Sequence, residues 1–205
     1  MASNVVTFVL LLASIATAFA MVVALNAVPT WYVESSRYRS VSLGLWQFCT
    51  YASRGGLGPV KHCVSFNLVK INAERESNIF VWLEAAEAGA ILSALALGAA
   101  FLSSIFLEVR RASPIAQTSS LFHVPKVMLG FAMCFMFGTG FAASMFYVVH
   151  DLGRLEFGAM YYMCWAAGAF TVMPMAISFF HHRPTPVANS AEHLVPLTTN
   201  MSTPV

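Results

Sequence analysis

The stretch Gly44-Leu45-Trp46-Gln47-Phe48-Cys49, together with a second cysteine at Cys63, decides the fold of this chain. Both cysteines lie in a polar loop of about fifty residues, 29–78, between two long apolar segments. Disulfides persist in oxidising compartments, so the loop is predicted to face one. The glycine-rich segment between the cysteines predicts a β-hairpin joined by a Cys49–Cys63 disulfide, and closing a loop of that size is worth about 3 kcal/mol. Two free thiols are the alternative.

The composition of the whole chain sets its class. Hydrophobic residues make up 58% of the sequence and charged residues only 10%, whereas soluble domains carry about 25% charge. This composition predicts an integral membrane protein whose partner is the lipid bilayer, with no nucleic-acid partner.

Four segments have the length of about 20 apolar residues that a spanning helix needs. They run from Val5 to Val28, Ile79 to Leu107, Val127 to Val149 and Phe157 to Phe180. The first resembles a secretory signal at Ala18-Phe19-Ala20, but its apolar run is long and no basic residue precedes it, which favours a retained helix. Both termini then lie on the same side, predicted to be cytoplasmic.

The predicted fold is a mainly α membrane protein, a bundle of four transmembrane helices topped by a small, disulfide-stapled, antiparallel extracellular β-sheet. Residues 1–183 form the four-span domain, and residues 29–78 within it form the β-module. Three stretches of the module are strand-like: Trp31-Tyr32-Val33, Val41 to Tyr51 and Val60 to Lys70. Residues 184–205 carry several prolines without periodicity and predict a disordered cytoplasmic tail.

The distribution of basic residues opposes this orientation. Four Lys and Arg residues fall on the predicted cytoplasmic side and seven on the other, so the positive-inside rule taken literally inverts the protein. Six of the seven lie in the single cysteine-bearing loop, however, and the four cytoplasmic ones adjoin helix ends. We therefore keep the loop outside and the termini inside.

These residues resemble the signature of the claudin and peripheral myelin protein superfamily. The resemblance rests on Trp31, Gly44-Leu45-Trp46-x-x-Cys49, Cys63, Arg75 and the run Glu156-x-Gly158-Ala159-x-x-Tyr162-x-x-Trp165-Ala166. It covers the four spans and both outer loops. The spacing of the two tryptophans and of the two cysteines departs from the typical pattern, so the chain is best described as a divergent claudin-like tetraspan.

The resemblance implies a plasma-membrane protein of cell–cell junctions that mediates adhesion and a paracellular barrier or ion selectivity. It also implies oligomers with claudin-like proteins in the same membrane and across the intercellular gap. Trp46 is expected to wedge the sheet onto the outer helix ends, the alternative being a plain interfacial aromatic anchor. The alternative function is that of an auxiliary regulatory subunit of a receptor or ion channel.

Two acids, Glu84 and Glu87, lie inside the second span, where a carboxylate costs about 2.5 to 3.5 kcal/mol at the centre. They lie near the outer boundary, and both a structural role with a polar partner and a functional role are open. A ridge of small residues at four-residue intervals, Ala86, Ala90, Ala94 and Gly98, predicts close helix approach on this span.

The chain ends in Ser202-Thr203-Pro204-Val205. A hydroxyl two places before a terminal aliphatic residue is typical of ligands of PDZ domains, in which the tail adds as a strand and the last side chain fills a pocket. Thr203, Pro204 and Val205 are therefore predicted to bind a PDZ scaffold protein.

No catalytic residue, cofactor site or metal site is predicted, and the protein is not expected to be an enzyme. His150-Asp151 is too small a ligand set for a metal, and His181-His182-Arg183 is interpreted as an anchor facing lipid headgroups. Lys61, next to the predicted disulfide, is the candidate for ion selectivity, with a merely solvated surface charge as the alternative.

Overall fold

The computed structural model describes residues 2–35, 39–54, 57–65, 77–111, 120–150 and 156–181. The helices are α1 (Ala2–Ala27), α2 (Ser77–Arg110), α3 (Val124–His150, after a 3-10 turn at Ser120–His123), α4 (Ala159–Phe170) and α5 (Val172–His181). The strands are β1 (Tyr32–Ser35), β2 (Arg39–Leu43), β3 (Gln47–Arg54), β4 (Leu57–Ser65) and β5 (Glu156–Phe157).

Four helical stretches are long and apolar enough to cross a membrane. They are Val5–Ala27, Val81–Arg110, Ser120–Val149 and Ala159–His181, close to the four predicted spans. The last stretch consists of α4 and α5, which meet at Thr171. Phe157, predicted to begin this span, belongs to β5 instead, because it pairs with Tyr32 in the sheet.

The helices pack through a buried stripe whose intervals alternate between three and four residues. The stripe comprises Leu11, Ile15, Ala18, Val22 and Leu25 on α1; Leu83, Ala86, Ala90, Ser93, Leu97 and Ala100 on α2; Leu129, Ala132, Met136, Thr139, Ala143 and Phe146 on α3; and Met160, Cys164, Ala167, Thr171, Pro174, Ser178 and His181 on α4 and α5. This heptad spacing is that of left-handed helix bundles. Because the stripe continues through Thr171, α4 and α5 pack as one span.

The helices alternate in direction along the bundle. At one end, here called the sheet end, α1 and α3 finish and α2 and α4 begin. At the other, here called the far end, α1 and α3 begin and α2 and α5 finish. α1 contacts α2, α4 and α5, and α3 contacts the same three helices, so the ring of helices is closed.

The sheet has the strand order β4-β3-β2-β1-β5 with every pair antiparallel. The predicted single strand from Val41 to Tyr51 is wrong, since it is split into β2 and β3 by a turn. Gly44 N–H donates to Gln47 O at 2.9 Å to close this turn, and a Cβ at position 44 would lie 2.6 Å from Pro29 Cα. Strand β5, with only two residues, is too short for the sequence pattern to predict.

Candidate functional site

The disulfide predicted from the sequence is present. Cys49 on β3 and Cys63 on β4 are directly opposite each other in the antiparallel register, and their sulfurs are bonded. Cys49 is fully buried, whereas Cys63 is exposed. Because β4 is the edge strand of the sheet, the disulfide fastens this edge to its neighbour.

Lys61 lies on the same face of the sheet as the disulfide. It is two residues before Cys63 on β4, and alternate side chains of a strand share a face. Its cross-strand partner is Tyr51, and the Lys61 ammonium lies 5.7 Å from the centre of the Tyr51 ring. The structure therefore places an exposed cation, supported by an aromatic ring, beside the disulfide at the edge of the sheet.

Trp31 attaches the sheet to the bundle. Its side chain is 1% exposed, and its indole Nε1 donates to Leu25 O at 3.1 Å, which satisfies one of the carbonyls left without a partner at the end of α1. Its backbone N–H donates to Leu43 O on β2 at 2.9 Å, and its carbonyl accepts from Gly158 N–H at 2.6 Å. One residue thus links α1, the sheet and the start of α4.

Tyr32, the next residue, makes a second attachment. Its hydroxyl donates to the carbonyl of Ala143 on α3, and its ring lies 5.6 Å from each of the rings of Tyr147 and Phe157. Burial, reinforced by the neighbouring hydroxyls of Tyr161 and Tyr147, raises the pKa of Tyr32. The hydroxyl therefore stays protonated and keeps its donor role.

Trp46 also lies between the sheet and the end of α1. Its side chain remains 37% exposed, and its indole Nε1 donates to Asn26 Oδ1 at the end of α1 at 3.3 Å. The buried positions at this junction are occupied by Trp31 and Leu45 instead. Of the signature residues, Trp31, Gly44, Leu45 and Trp46 meet at the sheet end of α1, and Arg75 lies outside the described residues.

The two acids of α2 lie close to its sheet end. Glu84 is exposed and Glu87 is partly buried. The predicted ridge beside them is only half correct: Ala86 and Ala90 are buried, but a Cβ on Gly98 would meet open space. The close approach to α3 occurs at Gly89, where a Cβ would overlap Thr139 Oγ1. Residues four apart drift around a helix, so the buried stripe follows the heptad instead.

At the far end, the structure brings together a polar cluster that sequence reasoning missed. His181 Nε2 lies 3.0 Å from Glu108 Oε2, and Arg111 Nη1 lies 3.4 Å from the same oxygen. The His181 ring stacks on Phe8 of α1 with centroids 5.8 Å apart. The prediction that His181 faces lipid headgroups is wrong, because only 6% of the residue is exposed. A signal was available in the sequence, since His181 continues the heptad of α5.

The remaining predicted residues lie apart from this junction. Cys164 is buried and Cys134 is exposed, and neither is bonded to another cysteine. Within the described ranges, no group of three or more His, Cys, Asp or Glu side chains is placed to hold a metal ion. The PDZ-type residues Thr203, Pro204 and Val205 lie outside the described residues, as does Asp151.

The arrangement is therefore a surface attached to the bundle at two points. A five-stranded sheet, closed by one disulfide at its edge, is held onto the bundle by hydrogen bonds from Trp31 to α1 and from Tyr32 to α3. Such a surface suits contact with another molecule, because its position relative to the helices is fixed before binding. A comparison of the sequence with protein-family models and with curated proteins finds no match.

Proposed function

We propose that this chain is a claudin-like, four-span plasma-membrane protein that adheres at cell–cell contacts and forms a paracellular barrier or ion-selective path. The observation that carries the proposal is the combination of the Gly44–Trp46 turn, the Cys49–Cys63 disulfide and the attachment of this sheet to the end of a four-helix bundle. Strand β5 supports it further, because it joins the second connection on this side to the same sheet. The loop 29–78 and the segment that contains β5 then contribute to one surface.

The bundle's outer surface supports insertion in a membrane. Opposite the buried heptad stripes, the helices expose large apolar side chains, among them Leu95 (64%), Leu102 (67%) and Val148 (70%). Soluble monomers rarely expose contiguous apolar patches larger than a few hundred Å². In a bilayer these side chains contact hydrocarbon instead of water, so their exposure is not unfavourable.

The disulfide supports the orientation. It belongs in an oxidising compartment, which puts the sheet outside the cell and the far end, with both termini, in the cytoplasm. The C-terminal Thr203-Pro204-Val205 would then be available to a PDZ scaffold. The sheet would contact copies or relatives of the chain, in the same membrane and across the gap.

The proposal is tested by expressing the tagged full chain in non-adherent cells that lack junctions. We expect enrichment at contacts between two expressing cells but not at contacts between an expressing and a non-expressing cell, because adhesion through the sheet needs a partner sheet. A chain delivered to the surface but evenly distributed at both kinds of contact would overturn the adhesive function.

The same cells distinguish adhesion from the alternative function as an auxiliary subunit of a receptor or channel. If the chain works as a lateral partner of a receptor or channel, affinity purification should recover one such protein in fixed proportion, and contact enrichment should be absent. Contact enrichment that persists in cells depleted of that channel favours the adhesive function.

A further inference from the structure

The far end of the bundle carries three cations beside an apolar girdle. The girdle consists of large side chains exposed on every helix at this end: Val5, Val6 and Val9; Phe106 and Val109; Leu121 and Val127; and Phe179 and Phe180. Next to it lie Arg110 and Arg111 at the end of α2 and Lys126 in the first turn of α3. Such an order of apolar and cationic side chains matches the boundary between hydrocarbon and water in a bilayer.

Two of these cations lie over aromatic rings of the girdle. The Arg110 guanidinium carbon is 4.5 Å from the centre of the Phe106 ring, and the Lys126 ammonium is 4.8 Å from the centre of the Phe179 ring. Both rings are 48% exposed. Arg110 is itself exposed, so the Phe106 ring holds this cation at the rim of the bundle. Lys126 is only 9% exposed and lies further inside.

The described charges at the far end are mostly of one sign. Against Arg110, Arg111 and Lys126, the described residues at the far end contain a single acid, Glu108. The Glu108 carboxylate is already shared by Arg111 and His181, at 3.4 Å and 3.0 Å. Among the described residues of the far end, the formal excess is therefore +2.

We propose that this cationic rim, defined by Arg110, Arg111 and Lys126, binds the headgroup of an anionic phospholipid in the adjoining leaflet. A ligand of the rim must have two properties. It must place negative charge beside the cations and hydrocarbon beside the phenylalanines of the girdle. An anionic phospholipid joins both properties in one molecule. The proposal rests on the membrane insertion proposed above but not on adhesion.

The test measures lipid retention by the full-length protein in nanodiscs containing equal amounts of phosphatidylserine and phosphatidylcholine. The protein is then released from the nanodiscs, and the lipids that stay bound to it are counted by native mass spectrometry. We expect wild type to retain phosphatidylserine preferentially. Arg110→Gln should lower the serine-to-choline ratio about fivefold, as expected for one cation near an anionic surface, and Arg110→Lys should preserve it.

Lys61→Gln is the matched control, because it also removes one positive charge but at the sheet end. It should leave the ratio unchanged. Lys126 is buried, so Lys126→Gln should lower the ratio less than Arg110→Gln. Arg110→Gln, at an exposed position, is the deciding variant.

Equal retention of the two lipids by wild type, or equal losses in Arg110→Gln and Lys61→Gln, overturns the rim as a lipid site. Displacement of the retained lipid by a soluble acidic peptide assigns the rim to a protein partner and also overturns the proposal. Failure to enter nanodiscs as a folded species refutes membrane insertion itself, whereas adhesion plays no part in this assay.

Discussion

Gly158 lies where the start of α4 meets the backbone of Thr30 and Trp31. Its N–H donates to Trp31 O at 2.6 Å, and a Cβ at this position would overlap the backbone carbonyl of Thr30. A backbone atom cannot rotate away as a side chain can. The requirement for glycine therefore comes from close approach of two main chains.

Gly158→Ala should destabilise the protein by about 1–3 kcal/mol, the usual cost of an inserted methyl in a packed site. The start of α4 would have to move away from β1 and lengthen the hydrogen bond to Trp31. Thermal unfolding of the purified protein in detergent measures this. Gly138→Ala is the matched control, because a Cβ there meets nothing within 4 Å. Equal melting temperatures for the two variants would show that the contact between Gly158 and the Thr30 backbone does not require glycine.

For single residues, the sequence predicts covalent and conformational constraints better than it predicts burial. The spacing of Cys49 and Cys63 predicted their pairing, since one bond between neighbouring strands follows from a short hairpin. The pattern did not tell which indole is buried. Trp31 and Trp46 both lie near the end of α1, and only the tertiary arrangement fills the junction with Trp31 and leaves Trp46 partly exposed.

Strand β4 is an edge strand whose pairing is reinforced by a disulfide. Among the described strands, β3 is its one partner. An edge strand offers its outer backbone groups to other chains and is held by half the ladder of a central strand. The Cys49–Cys63 bond compensates for this.

Cys49→Ser or Cys63→Ser should remove a constraint worth about 3 kcal/mol from a small module and leave the protein poorly folded and retained inside the cell. Surface biotinylation measures the delivered fraction. Cys134→Ser is the control, because Cys134 is exposed on α3 and unbonded. Surface delivery and contact enrichment of either hairpin mutant at the wild-type level would contradict a structural role for the bond.

The helical elements show where a pattern was misinterpreted. Four-residue spacing of Ala86, Ala90, Ala94 and Gly98 suggested one packed ridge, but the buried stripe leaves that ridge after Ala90 and continues through Ser93 and Leu97. A period of 3.5 keeps a stripe facing its partner, whereas a period of 4 rotates away from it. Composition identified the helices, and packing determined which side of each is buried.

The contact between α2 and α5 at the far end should be measurable as a coupling free energy. Glu108→Ala and His181→Ala each remove one partner of the 3.0 Å contact, so their effects on unfolding should be non-additive by about 0.5–3 kcal/mol. His123→Ala, at an exposed position in the 3-10 turn, should combine additively with Glu108→Ala. Additivity in both pairs would remove Glu108 and His181 as a link between these helices.

At the scale of the whole molecule, the two ends of the bundle differ in kind. The sheet end has a disulfide and an attached sheet, and the far end has a polar cluster and a cationic rim. The sequence predicted the sheet and its disulfide at one end, since the apolar lengths and the cysteine-bearing loop are local features, but not the polar cluster at the other end. It did not predict β5, because two residues carry no periodicity, and their pairing with β1 depends on contacts between residues 125 positions apart, as for Tyr32 and Phe157.

The C-terminal tail is predicted to act independently of the fold. Deleting Thr203 to Val205 should abolish binding to a PDZ scaffold while surface delivery stays unchanged, because the motif is recognised as a short added strand. Thr203→Ala should act in the same way, and Asn200→Ala, upstream of the motif, should bind like wild type. Pull-down with isolated PDZ domains measures this. Undiminished binding of the truncated tail would refute the motif.

Charge on the cysteine-bearing loop leads to a prediction about ion selectivity. Residues 29–78 contain six Lys or Arg and three Glu, a formal excess of +3. Positive charge along a confined path attracts anions and repels cations. If the sheet lines a paracellular path, that path should favour chloride over sodium.

Lys61 is the residue on which this selectivity should depend most, because it is exposed on the edge strand beside the disulfide and its ammonium lies 5.7 Å from the centre of the Tyr51 ring. Lys61→Glu should shift dilution potentials across an expressing cell layer towards sodium, while Lys61→Arg should leave them unchanged. Glu156→Gln, on the opposite edge strand β5, also changes the charge of the sheet and should leave the dilution potentials unchanged if selectivity depends on Lys61. A cation-selective wild type, or an unchanged ratio in Lys61→Glu, removes Lys61 from the conduction path and leaves it a solvated surface charge.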